Sequence, residues 1–188
     1  PNIDDDWTLE QTVASTTGMT PDMLAFQGRL FCSTMNDVSV PATVIVRATT
    51  GNPPSFSVSK TAGTGDSVPN ITTWGEFNHF GAMVVFQDNL YVSYFNKRTG
   101  DTESIVRIYK YTGSAWTVVY NPAADDITAA PYSHAFVHNS KVYFVSAPSS
   151  DTSVTHNVIL SSSDGSTWTA ITTVLDDIST ATLGVITS

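Results

Sequence analysis

Adjacent aspartates are the residues of this sequence whose type and spacing most directly suggest chemistry. Asp125–Asp126 and Asp176–Asp177 each precede a predicted strand. Loops rich in oxygen donors suit Ca²⁺, so Asp125 and Asp126 form a candidate calcium site, and the simpler alternative is a solvated turn. Neither pair is expected to perform general acid–base catalysis, because neighbouring side chains on an extended backbone point to opposite sides.

The histidines and the cysteine do not assemble a metal or nucleophilic site. His134 and His138 flank a predicted strand segment, where four residues span roughly 13 Å, so the two rings cannot share a metal ion. Cys32 falls at an apolar strand position and is interpreted as a small buried hydrophobic residue. A single cysteine also excludes a disulfide within the chain.

An aromatic segment, TTWGEFNHFGAM from Thr72 to Met83, is the clearest candidate for ligand binding. Extra aromatic side chains on a loop that enters a sheet can stack on the apolar faces of sugar rings. The alternative is a hydrophobic lid over the end of the sheet. The candidate ligand-binding residues are Trp74, Phe77, His79 and Tyr132.

The composition favours β structure and argues against some partners. The 188 residues include 27 Thr and 22 Ser, which suit half-buried strands and turns. A net charge of −9, without any cluster of Lys and Arg, disfavours nucleic acid and anionic membrane surfaces as partners. No apolar run approaches the roughly 18 residues of a membrane span, so no membrane insertion is expected. Few lysines and many hydroxyl groups suit an extracellular protein.

Three predicted hairpins recur along the chain. They read MLAFQGRLFCS from Met23, MVVFQDNLYVS from Met83 and AFVHNSKVYFV from Ala135. Each joins two apolar strands by a polar turn of two or three residues, which is the pattern of a β-hairpin.

A second hairpin with a closing aromatic residue follows each of these. VRIYKYTGSAWTVV begins at Val106 and VILSSSDGSTWTAI at Val158, so the two copies, including Trp116 and Trp168, are 52 residues apart. A looser copy has Phe56 at the tryptophan position. Four short strands in about 50 residues are the size and content of one propeller blade.

The stretch SSDGSTW from Ser162 to Trp168 resembles the Asp-box of sialidase-type (BNR) β-propellers, and the surrounding repeats resemble those of extracellular bacterial and archaeal propellers. The resemblance implies that the stretch joins the third and fourth strands of a blade. In such a hairpin Asp164 accepts backbone N–H bonds, Gly165 adopts a positive φ and Trp168 tucks its ring under the turn. We therefore expect a folding role for these residues and Ser162. YTGSAW, which ends at Trp116, is a degenerate copy without the aspartate.

We expect an all-β fold: a β-propeller segment of four-stranded antiparallel blades, about three in this chain. Known propellers close with about four to eight blades, so three do not complete a ring. The sequence therefore predicts self-association, or a segment of a longer chain. Within a single domain 1–188, the expected blades lie near 10–56, 60–116 and 120–168, with partial blade strands at 1–9 and 169–188.

The resemblance does not extend to sialidase chemistry. A sialidase needs three convergent arginines and a tyrosine nucleophile with a glutamate partner, and neither arrangement is recognisable here. No catalytic residue is assigned. The leading hypothesis is a non-enzymatic extracellular recognition, adhesion or scaffold module, with glycan as the expected ligand. Two alternatives stay open: part of a sialidase-like glycoside hydrolase, and a structural subunit of a surface filament or viral appendage.

Overall fold

The computed structural model describes residues 22–33, 35–37, 44–48, 56–62, 77–97, 104–122, 132–146 and 159–171. The strands within these ranges form three antiparallel sheets. The described residues are strands and turns, and no helix among them is long and apolar enough to cross a membrane. The expectation of an all-β protein with four-stranded antiparallel sheets is thus confirmed.

Each sheet is a meander of four strands in chain order, and the second sheet has one additional strand at its edge. The first sheet contains, in spatial order, β1 (Met23–Phe26), β2 (Arg29–Ser33), β4 (Val44–Ala48) and β5 (Phe56–Thr61). The second contains β3 (Met35–Asp37), β6 (Phe77–Phe86), β7 (Asn89–Lys97), β8 (Ser104–Tyr111) and β9 (Trp116–Tyr120). The third contains β10 (Tyr132–His138), β11 (Lys141–Ser146), β12 (Ile159–Ser162) and β13 (Thr169–Ile171).

The closing aromatic residues lie at the beginning of the fourth strands. Phe56 and Trp116 are the first residues of β5 and β9, and Trp168 immediately precedes β13. The fourth strands therefore run past the expected blade borders at 56, 116 and 168. The single domain 1–188 and its partial terminal strands stay a prediction, since most of residues 1–9 and 169–188 lie outside the described ranges.

Two-residue turns close the first hairpin of every sheet. Gln27–Gly28, Gln87–Asp88 and Asn139–Ser140 all have positive φ at both positions. Positive φ at both central residues defines a type I′ turn, whose twist matches that of the flanking strands. This turn fixes the register of each hairpin, and with it the side chains that share a face.

Two hydrophobic clusters hold the three sheets together. Below, the leading face of a sheet is the one turned toward the next sheet along the chain, and the trailing face is its opposite. The first interface packs the leading face of the first sheet (Phe26, Phe31) on the trailing face of the second (Met83, Leu90, Val92). The second interface repeats this arrangement one sheet further on, with members Val84, Phe86, Tyr91, Val142 and Phe144.

The register corrects the alignment of the repeats by one residue. Leu90 pairs with Tyr111, and at the equivalent place in the third sheet Val142 pairs with Ser162. Ser162 is therefore the counterpart of Tyr111, and the alignment that matched Val106 with Val158 is wrong in this strand. The tryptophans stay equivalent because the turn before Trp168 has one more residue than the turn before Trp116.

Candidate functional site

The antiparallel connections divide each sheet into two ends. The type I′ turns and the hairpins 112–115 and 163–168 lie at one end, called here the turn end. The strand ends that flank the connections from second to third strand and from one sheet to the next lie at the other, the connection end. Long connections on a rigid scaffold are where binding residues concentrate.

At the turn end, the Asp-box stretch is closed by its own side chains. The Asp164 Oδ1 atom accepts hydrogen bonds from the backbone N–H groups of Ser166 and Thr167, both at 2.7 Å. The Ser162 hydroxyl donates to the same oxygen at 3.0 Å and accepts from the Gly165 N–H at 2.8 Å. The N–H donors of Thr167 and then Ser166 hold the pKa of the Asp164 carboxyl well below its ordinary value.

These bonds use the polar capacity of the turn internally. The Ser162 Oγ also accepts from the Asp164 N–H at 3.3 Å, so its single proton and both lone pairs are engaged. A hydroxyl with no spare donor or acceptor is poorly suited to hold a ligand. The contacts therefore favour the folding role expected of Ser162 and Asp164, which stays a prediction.

Gly165 lies against the preceding sheet. Its φ is +69°, the left-handed region in which a side chain is strained. A Cβ atom at this position would overlap the hydroxyl of Tyr91, which is fully buried. Among the described residues, the Tyr91 Oη has no hydrogen-bond partner. Burial, followed by the nearby Asp164 charge, raises the pKa of Tyr91.

Trp168 packs across the second interface. Its ring meets Tyr91 at 6.1 Å and Tyr120 at 6.3 Å in the second sheet, and Phe144 at 5.8 Å in its own sheet. The expected position under its own turn therefore omits its principal contacts, which join two sheets. Its buried Nε1 has no hydrogen-bond partner among the described residues.

Trp116 performs the same task at the first interface, with one polar difference. It stacks on Tyr111 at 4.7 Å, and its Nε1 donates to Ser59 Oγ in the first sheet at 3.1 Å. Ser59 is the extra residue of a β-bulge in β5, since the register skips it. Val119 is the extra residue of the matching bulge in β9, and its side chain offers no hydrogen-bond acceptor.

Three of the candidate ligand-binding residues, Phe77, His79 and Tyr132, lie toward the connection end. Trp74 lies outside the described residues. Phe77 and His79 lie in β6, so the expectation that the aromatic segment is a loop is wrong for its second half. The cause is that β6 has a paired strand on each side. β3 pairs with it from Asp37↔Phe77 to Met35↔His79, and β7 pairs with its other edge.

Tyr132 begins β10 and is buried. Its ring lies 6.1 Å from Phe144, and its backbone carbonyl accepts a hydrogen bond from Ser93 Oγ at 3.0 Å. Burial raises the pKa of Tyr132, followed by the influence of the neighbouring Tyr120 hydroxyl, to which it is hydrogen-bonded. A core role is favoured by this position, and its ligand-binding role stays a prediction.

The remaining candidates are the two histidines, Cys32 and the aspartate pair. His134 and His138 are exposed on β10, and Cys32 is buried, which raises the pKa of its thiol. Asp125 and Asp126 lie outside the described residues, so the calcium site stays a prediction. Within the ranges the structure describes, no group of three His, Cys, Asp or Glu side chains is arranged to hold a metal ion.

Sequence reasoning missed a polar cluster near the connection end of the second sheet. Arg107 is buried, and its Nε donates to Asn121 Oδ1 at 3.0 Å.

Asp22, directly before the first sheet, makes a second polar contact that the sequence did not predict. It accepts from the Met23 N–H and, across the interface, from the Met83 N–H at 2.7 Å. An aspartate directly before a first strand was the available signal for the latter contact.

Among solved structures, the chain resembles the GH93 α-L-arabinofuranosidase of Fusarium graminearum in complex with arabinobiose. The TM-score is 0.51 at 15% sequence identity, over 78% of this chain and 45% of that one. That neighbour is a β-propeller glycoside hydrolase. The sheets of this chain have a β-propeller fold. No family model and no curated protein matches the sequence.

Because long connections on a rigid scaffold carry binding residues, the propeller fold makes the connection end the expected place for a ligand. The chain spans less than half of the solved neighbour, so the likeness bears on the fold and not on activity. The number of blades in a closed ring and the Asp-box relationship itself stay predictions. What the geometry does provide is a scaffold whose turn end is filled by packing and whose connection end carries the candidate binding residues.

Proposed function

We propose that this chain is a glycan-binding β-propeller module, and that its binding site lies at the connection end beside the start of β6. The observation that carries the proposal is the register at this point. Phe77 pairs with Asp37 on one side and with Lys97 on the other, and Asn78 pairs with Asn36 and Asn96.

The residue types at these positions are those that recognise sugars. A flat aromatic ring stacks on the apolar face of a pyranose or furanose, and amide or carboxylate groups hydrogen-bond its hydroxyls. The short strand β3 leaves the first sheet to place Asn36 and Asp37 next to β6. This register supports a shared site for Phe77 and Asp37, which lie in one cross-strand row, whereas Asn36 and Asn78 lie in the next row, on the opposite face of the sheet.

Binding is favoured over hydrolysis by the state of the carboxylates. A glycosidase of the usual kind needs two carboxyl groups flanking the scissile bond. At the connection end, both Asp22 oxygens accept backbone N–H groups, which engages that carboxylate in the fold. Among the described residues, this leaves Asp37 as the one carboxylate of the proposed site. The likeness to a glycoside hydrolase supports glycan as the ligand class and makes hydrolysis the second candidate.

An extracellular location is part of the same proposal. It is supported by the abundance of Ser and Thr and by the small number of lysines in the sequence. A recognition module exposed to free or cell-surface glycans would operate in such a setting.

Titration calorimetry with arabino-oligosaccharides, together with a glycan array that includes sialosides, tests the proposal. Phe77→Ala should abolish binding while Phe77→Tyr retains it, because the tyrosine keeps the ring face. From the sequence, Trp74→Ala should likewise abolish binding with only a modest loss of stability. Melting curves and far-UV circular dichroism confirm that each variant is folded.

Turnover assays separate the two candidates. The proposal expects no release of fluorophore from fluorogenic arabinofuranosides or sialosides. Turnover that disappears in Asp37→Asn would establish the hydrolase instead. Absence of binding to every glycan tested, with the protein folded, would contradict both.

A further inference from the structure

The two outermost sheet faces of the chain carry exposed apolar side chains. On the trailing face of the first sheet these are Met23, Leu30 and Val58. On the leading face of the third sheet, Phe136 stacks on Tyr143 with ring centroids 5.1 Å apart. Both faces lack a neighbouring sheet among the described residues.

The same residue types are buried where a neighbouring sheet is present. Met23 and Met83 occupy equivalent places in the first and second sheets, opposite Cys32 and Val92. Met23 is 60% exposed, whereas Met83 is 4% exposed under the first sheet. Leu30 and its counterpart Leu90 show the same contrast. Sequence at these positions is therefore suited to an interface that the first sheet does not yet have.

The leading face of the third sheet shows the matching contrast. Phe136 is 44% exposed, and its counterpart Val84 in the second sheet is 8% exposed. Tyr143 is half-buried, whereas its counterpart Tyr91 is fully buried against the third sheet. A leading face packs on a trailing face at both interfaces within the chain. The free leading and trailing faces have the geometry to repeat that contact once more.

We propose that the leading face of the third sheet docks on the trailing face of the first sheet in a second copy of this chain, and that two copies close into one ring of six sheets. Two identical head-to-tail contacts related by a two-fold axis close such a ring. Six blades fall within the roughly four to eight of known propellers. The part of the solved propeller that aligns with this chain is 45% of its length, so two copies match about one such ring.

The charges on these faces permit the contact. Among the described residues, the leading face of the third sheet carries His134, His138 and Lys141 beside the aromatic pair, and no carboxylate. The described part of the trailing face of the first sheet carries Met23, Ala25, Leu30, Cys32 and Val58. Although each chain has a net charge of −9, the docking faces bring no like charges together.

The native mass in solution tests the proposal first. Light scattering or sedimentation should give about twice the 20.2 kDa of the chain. Leu30→Glu and Phe136→Glu, one on each face, should each reduce the mass to that of one chain. Val85→Glu is the matched control, because Val85 is exposed to the same extent as Leu30 but lies on the second sheet, and it should leave the doubled mass unchanged.

A cross-link tests the head-to-tail geometry. Asp22 contacts the Met83 backbone across the first interface, and the corresponding pair between copies is His134 of one chain and Met23 of the other. With Cys32→Val, the double variant Met23→Cys, His134→Cys should form a disulfide under mild oxidation and run at doubled mass without reductant. Val85→Cys, His134→Cys in the same background should not.

Four results would overturn the proposal. A folded wild-type chain with the mass of one copy would show that the faces do not dock. A mass that keeps growing with concentration would show an open filament. A doubled mass that survives both glutamate variants, or the absence of the Met23–His134 cross-link, would place the contact elsewhere.

Discussion

The first and second interfaces use the same aromatic design with different polar detail. At each, a tryptophan at or immediately before the first residue of the fourth strand contacts the preceding sheet. At the first interface, the Trp116 indole is hydrogen-bonded to Ser59, and the position equivalent to Tyr91 is Phe31, which has no hydroxyl. At the second, the Trp168 indole and the Tyr91 hydroxyl are both buried without partners among the described residues.

The turns before the two tryptophans differ the other way, since the turn at the second interface contains more hydrogen bonds than the turn at the first. The turn before Trp168 is closed by the side chains of Ser162 and Asp164, which take part in five hydrogen bonds inside it. The turn before Trp116 has fewer: the Tyr111 hydroxyl donates to the Gly113 carbonyl at 2.6 Å, and the Thr112 hydroxyl accepts from the Ala115 N–H at 3.4 Å. The comparison shows that apolar packing sets the blade contact, whereas hydrogen bonding is completed locally by whatever each copy supplies.

Removing either tryptophan should have the largest effect on stability. Trp116→Ala and Trp168→Ala should each lower the free energy of unfolding by about 3–5 kcal/mol, since each truncates an aromatic residue that joins two sheets. Urea denaturation followed by circular dichroism measures the change. Trp116→Phe should cost more than Trp168→Phe, because only the former breaks a hydrogen bond. Unchanged unfolding midpoints in both alanine variants would contradict the assigned packing.

The two turn glycines should differ in their tolerance of a methyl group. Both have positive φ, so alanine at either costs about 1–2 kcal/mol. Gly165→Ala should cost more than Gly113→Ala, because its Cβ meets the buried Tyr91 whereas that of Gly113 meets the flexible side chain of Gln27. Chemical unfolding of the two variants under identical conditions provides the comparison. Equal costs would show that Tyr91 moves as easily as Gln27.

Asp164 should make the stability of the third sheet depend on pH. Its folded pKa is depressed by the Thr167 and Ser166 N–H groups, so its contribution is present above the unfolded pKa of about 3.9 and lost as pH falls through the folded pKa. Asp164→Asn should therefore be less stable than wild type near neutral pH, and the two should converge in acid. Melting temperatures over a pH series measure this. A difference that is independent of pH would contradict the carboxylate's role.

Exchanging the two bulge residues should transfer the indole hydrogen bond. Ser59→Val should cost about 1 kcal/mol, since Trp116 loses its acceptor. Val119→Ser should be less destabilising than Val119→Ala by part of a similar free energy, because the serine hydroxyl gives the Trp168 indole an acceptor. Urea titrations of Ser59→Val, of Val119→Ser and of the variant with both substitutions measure the two changes in the free energy of unfolding. If Val119→Ser is as destabilising as Val119→Ala, the serine does not reach the indole.

Tyr91→Phe should have the smallest effect. The substitution removes a buried hydroxyl that has no partner among the described residues and leaves the ring packing in place, as Phe31 does at the first interface. Stability should be unchanged or rise by up to about 1 kcal/mol. A loss greater than about 1 kcal/mol would reveal a hydrogen bond that the structure does not describe.

Local sequence patterns predicted the hairpins but not the reach of β6. The hairpins beginning at Met23, Met83 and Ala135 were identifiable because apolar alternation and polar turns act over a few residues. The sequence places Phe77 and His79 in a loop, because the strand β3 that pairs with them lies far away in the chain and leaves no local pattern. The one-residue shift at Ser162 was hidden for a related reason: the aligned tryptophans masked a longer turn.

The sequence by itself determined where the hairpins beginning at Met23, Met83 and Ala135 and their tight turns lie, and which residues of these hairpins correspond from one repeat to the next. Only the tertiary structure decided which of these equivalent residues are covered. Met23 and Met83 have the same side chain in the same local conformation, yet one is exposed and the other buried. The physical reason is that turn geometry and strand alternation arise from neighbours in sequence, whereas burial depends on the sheet that packs alongside.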